Sequence, residues 1–346
     1  MKLRFILCHP APELYGERRE GLLAAELRAL GHDAAVLRAE AAPAPRVTQA
    51  EGGAPFLHFP SDAPGLQAHR QGSAAMVEWL RADAPDVVLF KGMDYDIVAH
   101  CLEALDRTRC RIGFVIGGTS IHRNLAAADF VLAESEWQVE AVTRHLGRAL
   151  PAARLPKHID WPAVDSAHAA TRAEEAKLYD LCNVGGFEPR KNQAALAPLF
   201  PDCRIALVGD GGTRAAVAAL AEPHPAVHLT GHLSQPEAFR VVAQSWLMAH
   251  ASTWEGVPRV IVESLACGTP VVAHDFAIQA RFDTPAVRLV PAEEFLPTIR
   301  ALLADRPALL ALGEEARRYA LERHGPGLLA PAAATLLALA QGTPRG

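Results

Sequence analysis

Two glutamates with seven residues between them, Glu255 and Glu263, lie in the segment STWEGVPRVIVESLACGTPVV at 252–272. Pro258 suits the first turn of a helix, where its missing N–H would have had no intrahelical partner. Gly268 then closes that helix and Pro270 prevents its continuation. This places the N–H groups of Gly256 and Val257 at the positive end of the helix dipole, with no bulky side chain on Gly256 to hold a ligand away. Such an arrangement suits a diphosphate. A carboxylate has no use in holding phosphate, but it accepts hydrogen bonds from hydroxyls, and a nucleotide sugar carries hydroxyls on both sides of its diphosphate. A plainer reading stays open: Arg259 and Glu263, four apart, fit a surface ion pair worth about 0.2–0.5 kcal/mol, and Glu255 fits a residue that the dipole favours.

The elements around this segment alternate. Leu3–Cys8, 34–37, 87–90, 112–116 and 130–133 read as buried strands, with helices over 21–30, 74–82, 97–105 and 136–146 between them. The pattern restarts at 181–184, which runs into Gly185-Gly186, and at 205–208, which runs into Gly209-Asp210-Gly211-Gly212. A strand at 227–229 precedes Gly231, and further strands are expected at 247–251 and 270–273. Helices are expected over 294–304, 307–323 and 328–340. Alternation of this kind predicts parallel β-α-β units covered on both faces. The expected organisation is an α/β chain of two Rossmann-like parallel-sheet domains facing each other across a cleft, residues 1–155 and 156–324, followed by a helix and tail at 325–346. Residues 41–70, rich in Pro, Gly and Ala, read as a long loop or irregular insertion. Ligands in such sheets sit beyond the carboxyl ends of the strands.

Composition excludes several classes. The formal charge of −5 divides evenly, with 17 Lys/Arg against 19 Asp/Glu up to residue 155 and 17 against 20 after it, so no basic body exists to bind nucleic acid. The six cysteines show no C-x-x-C pair and read as reduced core residues. Only Phe5, Ile6, Leu7 and Cys8 precede His9-Pro10, too short a run for a signal peptide core, and no stretch of 18 apolar residues follows. The expectation is a cytoplasmic protein with at most weak membrane association and no bound metal.

The 252–272 segment resembles the donor-binding signature of the retaining family 4 glycosyltransferases, which have the GT-B fold. Its neighbours are similar to that family in the same order: LCNVGGFEPRKNQ at 181–193, CRIALVGDGGTR at 203–214 and VHLTGHLSQPE at 227–237, with a thinner likeness over 1–160 in ELRALGHDAAVL, PDVVLF and ADFVLAESEWQVEAV. The resemblance implies transfer of a sugar from a nucleoside diphosphate sugar to an acceptor hydroxyl, with retention and without a metal or other cofactor. It places Glu263 on the nucleotide ribose, Glu255 on the donor sugar, and the Gly256 and Val257 amides with Lys191 on the diphosphate. Gly231 and His232 fall under the base, and Gly16 in a loop facing the phosphates. The acceptor, whether saccharide, lipid or protein, is not specified.

Three positions depart from the family. Gly186 stands where an arginine is usual, Gly117 where a histidine faces the reacting sugar, and the glycine pair after the 270–273 strand is missing from DFAIQARF. His122 is the candidate to fill the place of the missing histidine, and Arg190 to supply the missing guanidinium, which bridges phosphate oxygens in a bidentate way. Glu255, Lys191 and His122 are thus the candidate catalytic residues. Two other readings remain, a non-catalytic nucleotide-sugar-binding relative and a nucleotide-sugar epimerase of the same fold. A nicotinamide-dependent dehydrogenase fits least, because no G-x-G-x-x-G follows the first strand.

Overall fold

The computed structural model describes residues 1–10, 16–118, 121–171, 177–278 and 280–342. The chain divides into two compact bodies, Met1–His158 with Gly327–Gly346, and Ile159–Pro326.

In the first body, β1 (Lys2–Leu7), α1 (Gly16–Ala29) and β2 (Asp33–Glu40) lead into β3 (Arg46–Gln49) and β4 (Pro55–Pro60). The chain continues through α2 (Ala74–Asp83), β5 (Val87–Lys91), α3 (Asp96–Ala104), β6 (Arg111–Ile116), β7 (Phe130–Ala133), α4 (Glu136–Leu146) and β8 (Ala152–Arg154). Their sheet runs β3-β4-β2-β1-β5-β6-β7-β8, parallel throughout except for β3. Both faces are covered, which is why β5 and β6 are unbroken apolar runs instead of alternating ones. The stretch 41–70 is therefore not a plain loop. Phe56 and Phe59 are buried and seat β4 beside β2, and β3 folds back on β4 as the edge. The prolines at both ends of this short strand hid it in the sequence.

The second body begins with α5 (Trp161–Ala169) and β9 (Tyr179–Val184). It continues through β10 (Ile205–Val208), α6 (Arg214–Ala221), β11 (Val227–Gly231), α7 (Gln235–Ala243) and β12 (Ser245–His250). Then come α8 (Arg259–Ala266), β13 (Val271–His274), β14 (Val287–Val290), α9 (Ala292–Leu303) and α10 (Arg306–His324). The six strands are all parallel, in the order β11-β10-β9-β12-β13-β14. Numbered from β9, this is the 3-2-1-4-5-6 order of a doubly wound sheet, and its direction of winding reverses between β9 and β12.

The last helix, α11 (Leu329–Ala340), which the sequence set apart with its tail, returns to the first body. Its Ala332, Ala333 and Leu336 pack with Leu23 and Leu27 of α1 under the first sheet. Of the cysteines, Cys203 is half-buried and the other five are buried, all as free thiols.

Behind the strand ends of the first body lies a buried group of charges. Arg19 Nη1 donates to Glu134 Oε1 at 2.7 Å, Lys157 Nζ to Glu134 Oε2 at 2.6 Å, and Arg19 Nη2 to Glu20 Oε1 at 2.9 Å. Lys91 Nζ reaches Glu20 Oε2 at 3.1 Å. Burial alone would raise the Glu134 and Glu20 carboxyls, but Lys157 with Arg19, and Arg19 with Lys91, hold them below the usual carboxylate range. Removing one partner of such a group strands its cations in a dry site. Glu134→Ala is expected to lower unfolding stability by about 3 kcal/mol in urea denaturation, whereas Glu136→Ala, in the first turn of α4, is expected to change it by less than about 0.5 kcal/mol.

Candidate donor site at the strand crossover

The ladder between β9 and β12 holds from Ser245↔Tyr179 to Met248↔Cys182 and then ends. Beyond it the buried Asn183 side chain donates to the Ala249 carbonyl at 2.7 Å, closing by a side chain the gap that the parting strands leave. Two loops leave the strands at this crevice: the Gly185-Gly186 turn after β9, and residues 251–258 after β12.

Glycines let the turns come together. Gly209 has φ +134°, and a Cβ there would lie 2.0 Å from the Gly185 carbonyl oxygen; Gly211, at φ +149°, would place one 2.6 Å from the Phe187 oxygen. Gln193, buried behind the turn, donates to the Gly186 carbonyl at 3.0 Å. Lys191 runs back over Gly185, its Cδ at 3.6 Å from where a Cβ would sit. From the other side, the N–H of Thr253 donates to the Arg190 carbonyl at 2.8 Å and its hydroxyl at 3.2 Å, fastening the two loops.

Charges meet where the loops meet. Lys191 Nζ donates to Glu255 Oε1, and Arg190 Nη1 reaches the same oxygen at 3.0 Å. Arg190 Nε is held by Glu188 Oε2 at 3.0 Å. Burial opposes ionisation of Glu255, yet the Lys191 hydrogen bond and charge, with His250 and Arg190, keep its pKa below the ordinary value. The Glu255 N–H is bonded to the Ala277 oxygen at 2.7 Å, and the Gly256 oxygen accepts from the Ala280 N–H at 3.2 Å. The DFAIQARF loop thus replaces the expected glycine pair with a brace for the 255–256 backbone. Among the described residues the N–H groups of Gly256 and Val257 make no backbone hydrogen bond.

The helix after them starts later than its sequence indicates. Pro258, with ψ 121°, is the residue before α8 and not part of its first turn. At the other end Gly268 takes φ +77° and its N–H bonds the Leu265 oxygen at 2.9 Å, the stop that the sequence predicts. Glu263, on α8, accepts from Gln235 Nε2 of α7 at 3.0 Å. Gly231 ends β11 with φ +73°, its oxygen accepting from the Gly209 N–H at 2.9 Å, and His232 stands beside it.

Of the expected site residues the second body therefore joins Arg190, Lys191 and Glu255 directly, with Gly256 and Val257 adjoining. Glu263 sits on the neighbouring helix surface, and Gly231 and His232 at the next turn. The remaining two belong to the first body. His122 accepts the Asn124 N–H on Nδ1 at 3.3 Å, capping the 3-10 turn Arg123–Ala127. Gly16 opens α1, and the loop at 11–15 before it lies outside the described residues.

Sequence reasoning missed His250. It ends β12, is 2% exposed, and its Nε2 has no hydrogen-bond partner, 3.9 Å from Glu255 Oε1. Burial, with Lys191, lowers its pKa to about 4. A polar residue closing the apolar run SWLMAH was the available signal.

The whole chain is similar in fold to several solved structures. HepE of Anabaena, in complex with UDP, superposes with a TM-score of 0.71 at 19% identity, covering 98% of this chain and 100% of that one. Sucrose-phosphate synthase of Thermosynechococcus elongatus gives 0.75 at 16%, covering 98% of each. The chain has the GT-B fold. Residues 180–305, within the second body, match the family model described as glycosyl transferases group 1. A curated relative, the N-acetylgalactosamine-N,N'-diacetylbacillosaminyl-diphospho-undecaprenol 4-alpha-N-acetylgalactosaminyltransferase of Campylobacter jejuni, is 28% identical over 166 residues; that stretch is 44% of this chain and 43% of the relative, less than half its length.

The packing of Gly209 on Gly185 sets the two turns. Gly209→Ala is expected to cost roughly 2–4 kcal/mol of stability, measured by thermal or urea unfolding. Gly212→Ala, where a Cβ meets nothing within 4 Å, is expected to stay within about 1 kcal/mol of wild type.

Proposed function

We propose that this protein transfers a sugar from a nucleoside diphosphate sugar to an acceptor hydroxyl, with retention at the anomeric carbon and without a metal. The observation that carries this reading is the convergence of Lys191 and Arg190 on one half-buried carboxylate oxygen beside the Gly256 and Val257 amides, at the crossover of the sheet. Fixed cations and amides there stabilise the negative charge that builds on a departing diphosphate, the task a divalent ion performs elsewhere. Glu263 is assigned to the ribose and Glu255 to hydroxyls of the donor sugar, with Gly231 and His232 near the base. Retention follows the resemblance to family 4. HepE, solved with UDP and with UDP-glucose, makes uracil the base to test first. The Campylobacter relative, whose name describes a sugar added to a diphospho-undecaprenol-linked sugar, makes a lipid-linked saccharide the first acceptor to try. Among the described residues no helix is long and apolar enough to cross a membrane.

A second reading has one observation in its favour. Gly186 supplies no guanidinium where the family has one, and a Cβ there would already touch Glu188 Oε1 at 3.4 Å; a relative that binds the donor without transferring it would look the same. Release of free UDP from UDP-glucose only when acceptor is present supports transfer. Binding without release under any acceptor supports the second reading, and the anomer of the product by NMR decides retention.

Two measurements probe the donor site. UDP affinity by calorimetry is expected to change less than about tenfold, or 1.4 kcal/mol, between excess chelator and added magnesium; a larger loss in chelator removes the metal-free assignment. Glu263→Ala is expected to weaken UDP and UDP-glucose alike, by about ten- to a hundredfold for a lost charged hydrogen bond of roughly 1.5–3 kcal/mol. Glu255→Ala is expected to weaken only UDP-glucose, and identical behaviour of the two variants would count against both roles.

A further inference from the structure

In the site as it stands, one carboxylate oxygen already occupies both cations. Glu255 Oε1 takes Lys191 Nζ and Arg190 Nη1 together, which are the contacts that a phosphate oxygen would need. A diphosphate and a carboxylate cannot share two cations at close range without strong like-charge repulsion, so binding a diphosphate requires Glu255 to give way.

His250 stands where the carboxylate would go. Its Nε2 is buried, unpartnered and 3.9 Å from Glu255 Oε1, so a movement of about 1 Å brings the pair within hydrogen-bond range. A buried nitrogen left without a partner is uncommon and carries an uncompensated desolvation cost. The imidazole is neutral near pH 7, because burial, with Lys191, His274 and Arg190, outweighs the attraction of Glu255, and a neutral imidazole has one N–H to give. His274 on β13 stacks on Phe276 and meets Phe295 at a tilt, and Glu188 is engaged with Arg190.

We propose that Glu255 is the resident counter-ion of Lys191 and Arg190 in the ligand-free protein, and that His250 is a positioning residue which receives the Glu255 carboxylate when a diphosphate displaces it. His250 thereby turns Glu255 toward the donor sugar. This rests on the reading that the crossover site holds a diphosphate.

The test is a double-mutant cycle on the full chain, with inorganic pyrophosphate and UDP each titrated by calorimetry. Glu255→Gln keeps the shape and removes the resident charge, and is expected to tighten pyrophosphate about tenfold. His250→Leu is expected to weaken it about tenfold when Glu255 is present, and less than about twofold in the Glu255→Gln background. His250→Gln, which retains an N–H donor, is expected to stay within about threefold of wild type. Equal weakening by His250→Leu in both backgrounds, or no tightening by Glu255→Gln, overturns the proposal. Should His250→Leu fail to fold, the imidazole nitrogen spectrum of the wild type decides: added pyrophosphate shifts the His250 Nε2–H signal, and an unmoved signal overturns the positioning role. If pyrophosphate gives this pattern while neither UDP nor another nucleoside diphosphate binds, the donor reading falls and the positioning role stands. If UDP binds and the pattern is missing, the reverse holds.

Discussion

Strands β9 and β12 run side by side only as far as Cys182 and Met248, and the site exists because they then part. Opposite winding on the two sides of this point sends the chain after β9 one way and the chain after β12 the other. Every group of the anion site hangs from one of these two exits. Asn183 is what makes the parting tolerable, since its amide satisfies the Ala249 carbonyl that the ladder no longer reaches. Gly209 and Gly211 then let the β10 turn press its backbone against the β9 turn, so that Lys191 starts from a rigid base.

The electrostatics of the site come from that placement. A dry crevice makes each ion pair stronger and each unpaired charge costlier. Lys191 without an anion would be expensive in it, and Glu255 supplies one from within the chain, while Arg190, 43% exposed, keeps much of its contact with water. A hydrated surface lysine has no such need; here the side chains of Lys191 and Glu255 are 15% and 13% exposed. The same carboxylate therefore neutralises the two cations from within the chain and is the one assigned to recognition of the donor sugar.

How much of this was legible in the residues varied with the physical source of the signal. Helix ends marked by Gly268 and Pro270, and parallel strands buried on both faces, announce themselves through local chemistry, and the two-body α/β plan was readable for that reason. The pairing of Glu255 with Lys191 and Arg190 was not, because it is a contact across 64 residues that depends on where two strands separate. β4 was lost because its flanking prolines carry the signature of a loop while its two buried phenylalanines carry that of a strand. His250 was lost for a different reason. One histidine at the end of an apolar run has no periodicity to betray it, and its interest lies wholly in an unmet hydrogen bond. Arg190 is the substitute that the sequence offers for the arginine absent at 186; in the structure its guanidinium bonds the same Glu255 oxygen as Lys191.

The return of α11 to the first body bears on how the chain is made. Leu23 and Leu27 of α1 wait for Ala332, Ala333 and Leu336, about 300 residues downstream. During synthesis the second body, Ile159–Pro326, emerges whole before the last helix of the first exists. The first body therefore spends that interval with an uncovered leucine face, while the second has every segment of its core in hand. In vectorial synthesis the first body begins first and is completed last, because the helix that covers Leu23 and Leu27 is the final one made.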